Sequence, residues 1–373
     1  MNGVSDQDNT AAQYRSPLLP TPGAVTFQGV DDLLDTEGVA WHYGDPLTEQ
    51  RRAHREPVAI DRSQRRVLAV TGDDAPEFLN NLLSQKLDDV ADGYSASALD
   101  LDIQGHILHH ADITKVEGSY YLDVPSRQTE SLKKFLEQMV FWSQVEITET
   151  DLAIVTVLGE GDIDVPEARF VRDVDWSAVR RRDLALPRTA LKSALNSAGL
   201  PLSGLMSFTA ERVRAVEPEL GVDLDNRAIP HEVPNFIARG GRAAAVHLNK
   251  GCYRGQETVA RVENLGQSPR LLVTLQLDGS AFDEPLPGDA IAIKSGGRAI
   301  GRVGTVVHDC DYGPIALALV KRSALKNPQL VITPAEDSGR GEVAATVDPD
   351  SLPTDEGVRA GRAAVNRLRN PEN

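Results

Sequence analysis

Lys250-Gly251-Cys252-Tyr253-Arg254-Gly255-Gln256-Glu257 is the stretch on which the reading of the chain turns. It holds one of only two cysteines in 373 residues. Cys252 stands between two cations, Lys250 and Arg254, and between two glycines, Gly251 and Gly255. A neighbouring cation favours thiolate over thiol, and thiolate is the reactive form. Glycine lets the backbone turn sharply and lets a second molecule approach closely. Three readings stand side by side: a turn cysteine that packs, a metal or cluster ligand, and a reactive or ligand-contacting thiol. The second needs partners, and the other cysteine, Cys310, falls in a different predicted region. An extended segment puts 250, 252 and 254 on one face, which strengthens the third.

Upstream, Arg212-Val213-Arg214-Ala215-Val216-Glu217-Pro218-Glu219-Leu220-Gly221 leads to Asp223 and to Ile229-Pro230-His231-Glu232. Its arginines suit bidentate grip on carboxylates, and the plain alternative is a solvated loop. Thr209–Ala215 reads as a strand and Arg188–Ala198 as a helix. Further back, Val67–Gly72 is a buried strand, followed by a helix capped at Asp73 or Asp74. Ala98–Ile103 alternates with period two and Gln104-Gly105 turns it. Ile107–Val116 and Tyr120–Val124 continue a meander. A helix from Ser126 and strands at Val145–Thr148 and Ala153–Leu158 complete an α+β unit with a mostly antiparallel sheet. Downstream, Leu271–Leu277, Ala290–Ile293, Ala299–Val307 and Ile315–Val320 are short strands between glycine and proline turns, the pattern of a small β-barrel or sandwich.

The formal charge is −16 and the hydrophobic fraction 41%. So acidic a surface does not grip phosphate backbones, although a local basic pocket for an anionic small molecule is compatible with it. No apolar run reaches the length of a membrane helix, and residues 1–15 lack the apolar core of a signal peptide. Two cysteines do not make a disulfide scaffold. Cytoplasm, with Cys252 and Cys310 reduced, is the expectation. Gly159-Glu160-Gly161 fails as a dinucleotide motif, because Asp164 stands where a third glycine belongs and Pro166 where a helix should run. No Gly-x-Ser-x-Gly elbow occurs. His106, His109 and His110 near Asp112 hint at a metal, but a strand puts His109 and His110 on opposite faces. No metal site is expected.

The eight residues from Lys250 to Glu257 resemble the signature of the YgfZ-type folate-binding proteins, relatives of the aminomethyltransferase (T-protein) of the glycine cleavage system. Arg212–Glu232 looks like the matching Arg-x-x-x-Gly-x-Pro-x-x-Gly-x-Asp…Ile-Pro-x-Glu segment, with Val216 where the family usually has glycine. Gly44-Asp45-Pro46 and the Asp100…Gly105 hairpin fit more loosely. The resemblance implies an α+β, T-protein-like fold: two α+β portions around a central folate channel, closed by a C-terminal antiparallel β-barrel. The boundaries that follow are a flexible lead over 1–24, the folate-binding region over 25–268, the barrel over 269–345 and a polar tail over 346–373, with a loose helix over Val358–Leu368.

The resemblance further implies tetrahydrofolate or a derivative as cofactor. Arg212, Glu232, Lys250, Tyr253, Gln256 and Glu257 would contact it. Cys252 would be the functional thiol, and Lys250 would tune it or pair with the folate tail. The implied activity is that of a folate-dependent accessory factor for iron–sulfur proteins, including cluster enzymes that modify tRNA. Its partners would be client proteins or assembly machinery, with no direct nucleic acid contact, no membrane and a monomeric state. The alternative is a tetrahydrofolate-dependent one-carbon transferase. In aminomethyltransferases a carboxylate after the hairpin glycine assists transfer. His109 and His110 stand there, and T-proteins lack the cysteine at 252, which weighs against that reaction. A docking module that has kept the fold and lost the ligand is the third possibility.

Overall fold

The computed structural model describes residues 14–29, 34–176, 178–238 and 244–353. In chain order, α1 (Pro46–Ala53) leads to β1 (Val58–Asp61), β2 (Arg66–Thr71), α2 (Ala75–Leu82), β3 (Ser95–Leu101), β4 (Ile107–Val116) and β5 (Ser119–Val124). Next come α3 (Ser126–Met139), β6 (Glu146–Glu149), β7 (Leu152–Leu158), β8 (Phe170–Val174), β9 (Arg181–Pro187), α4 (Leu191–Ser197), β10 (Leu202–Ser203), α5 (Leu205–Arg214) and α6 (Gln256–Leu265). The last strands are β11 (Arg270–Leu277), β12 (Ala290–Ala292), β13 (Gly301–Asp309), β14 (Gly313–Lys321), β15 (Gln329–Thr333) and β16 (Val343–Val347).

The strands build two five-stranded sheets and a closed barrel. One sheet has the order β3-β4-β5-β2-β6, the other β10-β1-β7-β9-β8, and the barrel β11-β14-β13-β12-β15-β16. In the first sheet, Leu68, Val70, Ile113, Tyr120 and Leu122 point to one face, where α2 (Phe78, Leu79) and α3 (Leu132, Leu136) cover them. In the second, Ala59, Val155, Val157, Leu184 and Leu186 meet Leu191 and Leu195 of α4. The opposite residues Val58, Ile60 and Leu158 meet Leu205 and Phe208 of α5. The barrel interior is filled by Val273, Leu275, Ile291, Val303, Ala318, Val320, Ile332 and Val343. Closure leaves no unpaired sheet edge. Leu272, Leu317 and Leu319 point outward into a shared core with Ala210, Val213, Phe236 and Tyr253. That two-sided burial explains why β11 and β14 read as continuous apolar runs rather than alternating ones. Among the described residues no helix is long and apolar enough to cross a membrane.

Arginines and aspartates join the two five-stranded sheets. Arg172 on β8 donates to Asp123 on β5 at 2.5 Å and to Asp183 on β9 at 2.9 Å. Arg65 donates to Asp123 from the other side at 2.5 Å. Arg181 pairs with Asp183 at 2.7 Å and with Glu217 at 3.0 Å. Burial works against the ionised form of Asp183, but Arg181, Arg172 and Arg62 hold its carboxyl well below the usual range. Buried charges of this kind persist only when paired and hydrogen-bonded.

Three expectations are corrected. Thr209–Ala215 lies almost wholly in α5, not in a strand. Every residue from Ser207 to Val213 is buried, so the one-sided helical pattern is absent from the sequence. The lead does not hang free over residues 14–23: Ser16 donates to Asp61, Leu18 joins the α4 core and Arg66 and Arg188 sit over the Tyr14 ring. The tail does not begin at 346. Val347 ends a barrel strand, and Asp350–Pro353 return to the body of the protein. The helix expected over Val358–Leu368 lies outside the described residues.

Candidate functional site

Between the two five-stranded sheets lies a cavity of about 730 Å³, a volume suited to a cofactor-sized molecule. β3 contributes Ser95–Ser97, β4 contributes His110 and Asp112, and β8 contributes Arg172. Trp176, Phe236, Val216 and Glu217 come from loops, and Asp350–Pro353 form part of the wall. Strand alternation sets the β4 pair: His110 and Asp112 are two residues apart and share a face. The His110 and Phe236 rings meet in a tilted contact with centroids 5.0 Å apart. Burial pushes the His110 imidazole below its ordinary pKa, so it is neutral at pH 7. Burial alone would raise the Asp112 carboxyl, but Arg172, His110, Arg181 and Arg65 hold it well below the usual range. His110 Nε2 and Arg172 Nη1 are buried and have no hydrogen-bond partner. A void of about 40 Å³ shares His110, Asp112 and Glu217 with this cavity and is bordered by Arg212 and Glu219. There burial pushes the Glu219 carboxyl up to about 7 against the pull of Arg212.

The Cys252 loop stands apart, and Cys252 does not border the cavity. Gly255 has φ +80° and caps α6; a Cβ there would meet Asp102 O at 2.7 Å and Gly105 Cα at 3.0 Å. The loop therefore lies against the β3–β4 hairpin, and only glycine permits both the left-handed turn and that approach. Arg254 donates to buried Asp100 at 2.5 Å and lies over the Phe135 ring. Asp100 also meets His109 Nδ1 at 2.8 Å, and His109 Nε2 reaches Ser131 Oγ at 2.8 Å. Cys252 itself is exposed.

Four comparisons bear on this arrangement. The tRNA-modifying protein YgfZ of Aliivibrio fischeri is 33% identical over 137 residues, covering 37% of this chain and 39% of that relative's length. The YgfZ of Colwellia psychrerythraea is 20% identical over 302 residues, covering 76% of this chain and 91% of the relative. The iron-sulfur cluster assembly factor IBA57, mitochondrial, of Mus musculus is 26% identical over 316 residues, covering 78% and 84%. The crystal structure of the glycine cleavage system aminomethyltransferase T from Bartonella henselae superposes with a TM-score of 0.72 at 17% identity, covering 88% of this chain and 94% of that one. The chain resembles the YgfZ proteins in sequence, over 39% of the length of the first relative and 91% of the second. No family model matches it. Its architecture is the aminomethyltransferase fold, with the closed antiparallel barrel expected from the sequence.

The cavity and the sequence motif are two places, and the predicted folate contacts fall outside the larger cavity. Arg212 donates to Asp223 at 2.8 Å, to Glu217 O at 2.7 Å and to Thr305 Oγ1 at 2.6 Å. It grips a carboxylate as expected, but one belonging to the protein, and ties α5 to the barrel. Glu232 takes a two-pronged pair from Arg270 at 2.7 and 2.8 Å. Lys250 is not directed at Cys252. Its Nζ caps α2, donating to Asn80 O and to Leu83 O at 2.5 Å, a favourable place for a cation. Burial pushes that ammonium down to about 8. Tyr253 is buried beneath Lys250, at 4.6 Å from Nζ to the ring centroid. Gln256 and Glu257 open α6, with Glu257 exposed. Residues 250, 252 and 254 do not share a face: Lys250 is buried and Cys252 exposed.

The cavity residues His110, Asp112, Arg172, Trp176, Glu217 and Phe236 were not predicted as contacts. A usable signal lay in the two histidines at the hairpin, since period two allows only one of them to face inward.

Val216 borders the cavity with φ +53°. A β-branched residue there carries roughly 1–2 kcal/mol of backbone strain. The usual order of truncation should therefore invert. Val216→Ala loses buried methyls and keeps most of the strain, whereas Val216→Gly loses them and relieves it. Urea unfolding should find Val216→Ala less stable than Val216→Gly. The ordinary order, with glycine worse, would show that the strain is absent.

Proposed function

We propose that this YgfZ-like protein binds a tetrahydrofolate derivative in the central cavity and acts as an accessory factor in the assembly or repair of iron–sulfur proteins, including cluster enzymes that modify tRNA. The observation that carries the ligand half is the cavity itself. It pairs aromatic walls, Trp176 and Phe236, with two buried polar atoms that have no partner, His110 Nε2 and Arg172 Nη1. A pterin is flat and edged with donors and acceptors, so stacking walls and a few fixed polar groups are what it needs. Ionised Asp112 can accept pterin N–H groups, and neutral His110 can donate or accept. A bound tetrahydrofolate would supply a one-carbon carrier.

The names of the relatives, one a tRNA-modifying protein and one an iron-sulfur cluster assembly factor, support the second half. With a charge of −16, service to the modifying enzymes in the cytoplasm fits better than contact with RNA. Exposed Cys252, held on the hairpin by Gly255, Gly105 and Arg254, is the thiol we assign to contact with clients. Its exposure does not fit the packing alternative.

Calorimetry and thermal melting with tetrahydrofolate and 5-formyltetrahydrofolate test the ligand half. One molar equivalent should bind, and ligand at about 100 times Kd should stabilise by about 2.7 kcal/mol. Trp176→Ala and His110→Ala should weaken binding tenfold or more, while Cys252→Ala leaves it unchanged. No heat and no rise in melting temperature with the parent protein would overturn the folate assignment. Turnover of tetrahydrofolate with a methylamine donor would instead favour a one-carbon transferase.

A further inference from the structure

We propose that His54, Cys310 and Asp311 form a zinc site on the side of the protein where α1 meets the β13–β14 turn. One ligand atom of each lies within 4.8 Å of the others. His54 Nδ1 is 3.8 Å from Asp311 Oδ2. Bonds of about 2.0–2.3 Å around a tetrahedral zinc place ligand atoms about 3.3–3.8 Å apart. Only a small contraction separates the trio from that geometry.

A second, independent observation concerns the other ring nitrogen. His54 Nε2 is 2.6 Å from Oε1 of Glu211, whose side chain is wholly buried. Metal-bound histidines characteristically give their second ring N–H to a carboxylate, which fixes the tautomer and turns the free nitrogen to the ion. Here that contact leaves Nδ1 as the nitrogen available to a metal. Glu211 Oε2 is buried with no hydrogen-bond partner. A buried carboxylate left half-satisfied is a cost that a nearby cation would offset.

The backbone of the turn is pinned beforehand. Gln50 Oε1 accepts from Cys310 N at 2.7 Å, Arg51 donates to Cys310 O at 2.8 Å, and Asp309 accepts from Asp311 N at 2.8 Å. Three carboxylates, Glu211, Asp309 and Asp311, face two guanidinium groups, Arg51 and Arg214. The surroundings are anionic by one charge before any thiolate forms. Sulfur with imidazole nitrogen selects a borderline-soft ion such as Zn²⁺ over Mg²⁺ or Ca²⁺. The Cys310 proton leaves to solvent as the zinc–sulfur bond forms. Water would fill the fourth position on the exposed side of His54 and Asp311. The second aspartate cluster, Asp112, Asp123 and Asp183, differs: Arg65, Arg172 and Arg181 already neutralise it.

The test uses the full chain, stripped with EDTA and titrated with Co²⁺ and then Zn²⁺. One equivalent of Co²⁺ should give tetrahedral d–d bands and a thiolate-to-cobalt charge-transfer band, and one equivalent of Zn²⁺ should abolish both. Cys310→Ser should lose the charge-transfer band and Cys252→Ser should keep it. His54→Gln, at a partly exposed position, should weaken Zn²⁺ binding tenfold or more, which keeps the test decisive if Cys310→Ser folds poorly. No cobalt spectrum with the parent protein, or a spectrum lost in Cys252→Ser instead, would overturn the site.

Discussion

Arg172→Met should cost the protein about 3–5 kcal/mol, the range for removing one partner of a buried ion pair. Arg172 is the guanidinium that reaches from one five-stranded sheet to the other, meeting Asp123 and Asp183 and lying 3.5 Å from Asp112. Methionine fills similar volume, so the loss is mainly electrostatic. Lysine should not rescue it, because a point charge cannot span two carboxylates as a planar fork does. The pH dependence has a definite sign. Asp112, Asp183 and Glu217 are held below the ordinary carboxylate range. In the parent protein their contribution is present above about pH 4 and is lost as pH falls through their folded values. Without Arg172 the carboxyls rise, and mild acid then neutralises the stranded charge. The deficit of the variant should be largest near neutrality and shrink towards about pH 4.5. Urea unfolding at the two pH values measures this. Arg66→Met, which breaks a surface pair with Glu149, should stay within about 1 kcal/mol. A deficit that small for Arg172→Met, or one independent of pH, would show that Arg65 and Arg181 carry the network alone.

Cys252→Ala should abolish function while leaving the fold intact. In cells lacking the gene, the parent protein should restore the activity of a [4Fe–4S] enzyme and the variant should fail to. Exposed side chains away from special backbone features change stability by about 0.5 kcal/mol or less, so melting temperatures should coincide. Folate binding and the cobalt spectrum should both survive, since neither cavity nor zinc trio includes Cys252. Equal rescue by parent and variant would remove the thiol from the mechanism and leave the cavity as the working part.

Most of the architecture was legible because its strands carry simple burial patterns. Leu68, Val70, Leu99, Leu101, Ile113 and Leu122 announce themselves by spacing. The barrel announces itself by short apolar runs between glycine and proline turns. β8 and β9 did not show, for a physical reason. Arg172, Arg181, Arg182 and Asp183 are all buried there, and a charged residue in sequence reads as exposed until its partners are known. Asp112, Asp123 and Glu217, which pair with Arg172 and Arg181, sit on β4, β5 and the loop after α5, far along the chain, and Arg182 donates to the carbonyls of Gly159 and Gly161. Lys250 misled in the opposite way. It neighbours Cys252 in sequence, yet its stem carries the ammonium to carbonyls about 170 residues earlier. The motif was therefore readable as a motif and the resemblance implied a central channel, whereas the direction of each side chain and the residues that line the cavity were not readable. The same holds for His54 and Cys310, whose association depends on how the barrel turn meets α1.

Asp350–Pro353 lie beyond the last barrel strand, yet they form part of the cavity wall. Synthesis runs from the amino end, so both five-stranded sheets leave the ribosome before this wall exists. A ligand held in this cavity would meet a wall that is complete only once Asp350–Pro353 have been made, and a chain cut before residue 350 should hold it less tightly.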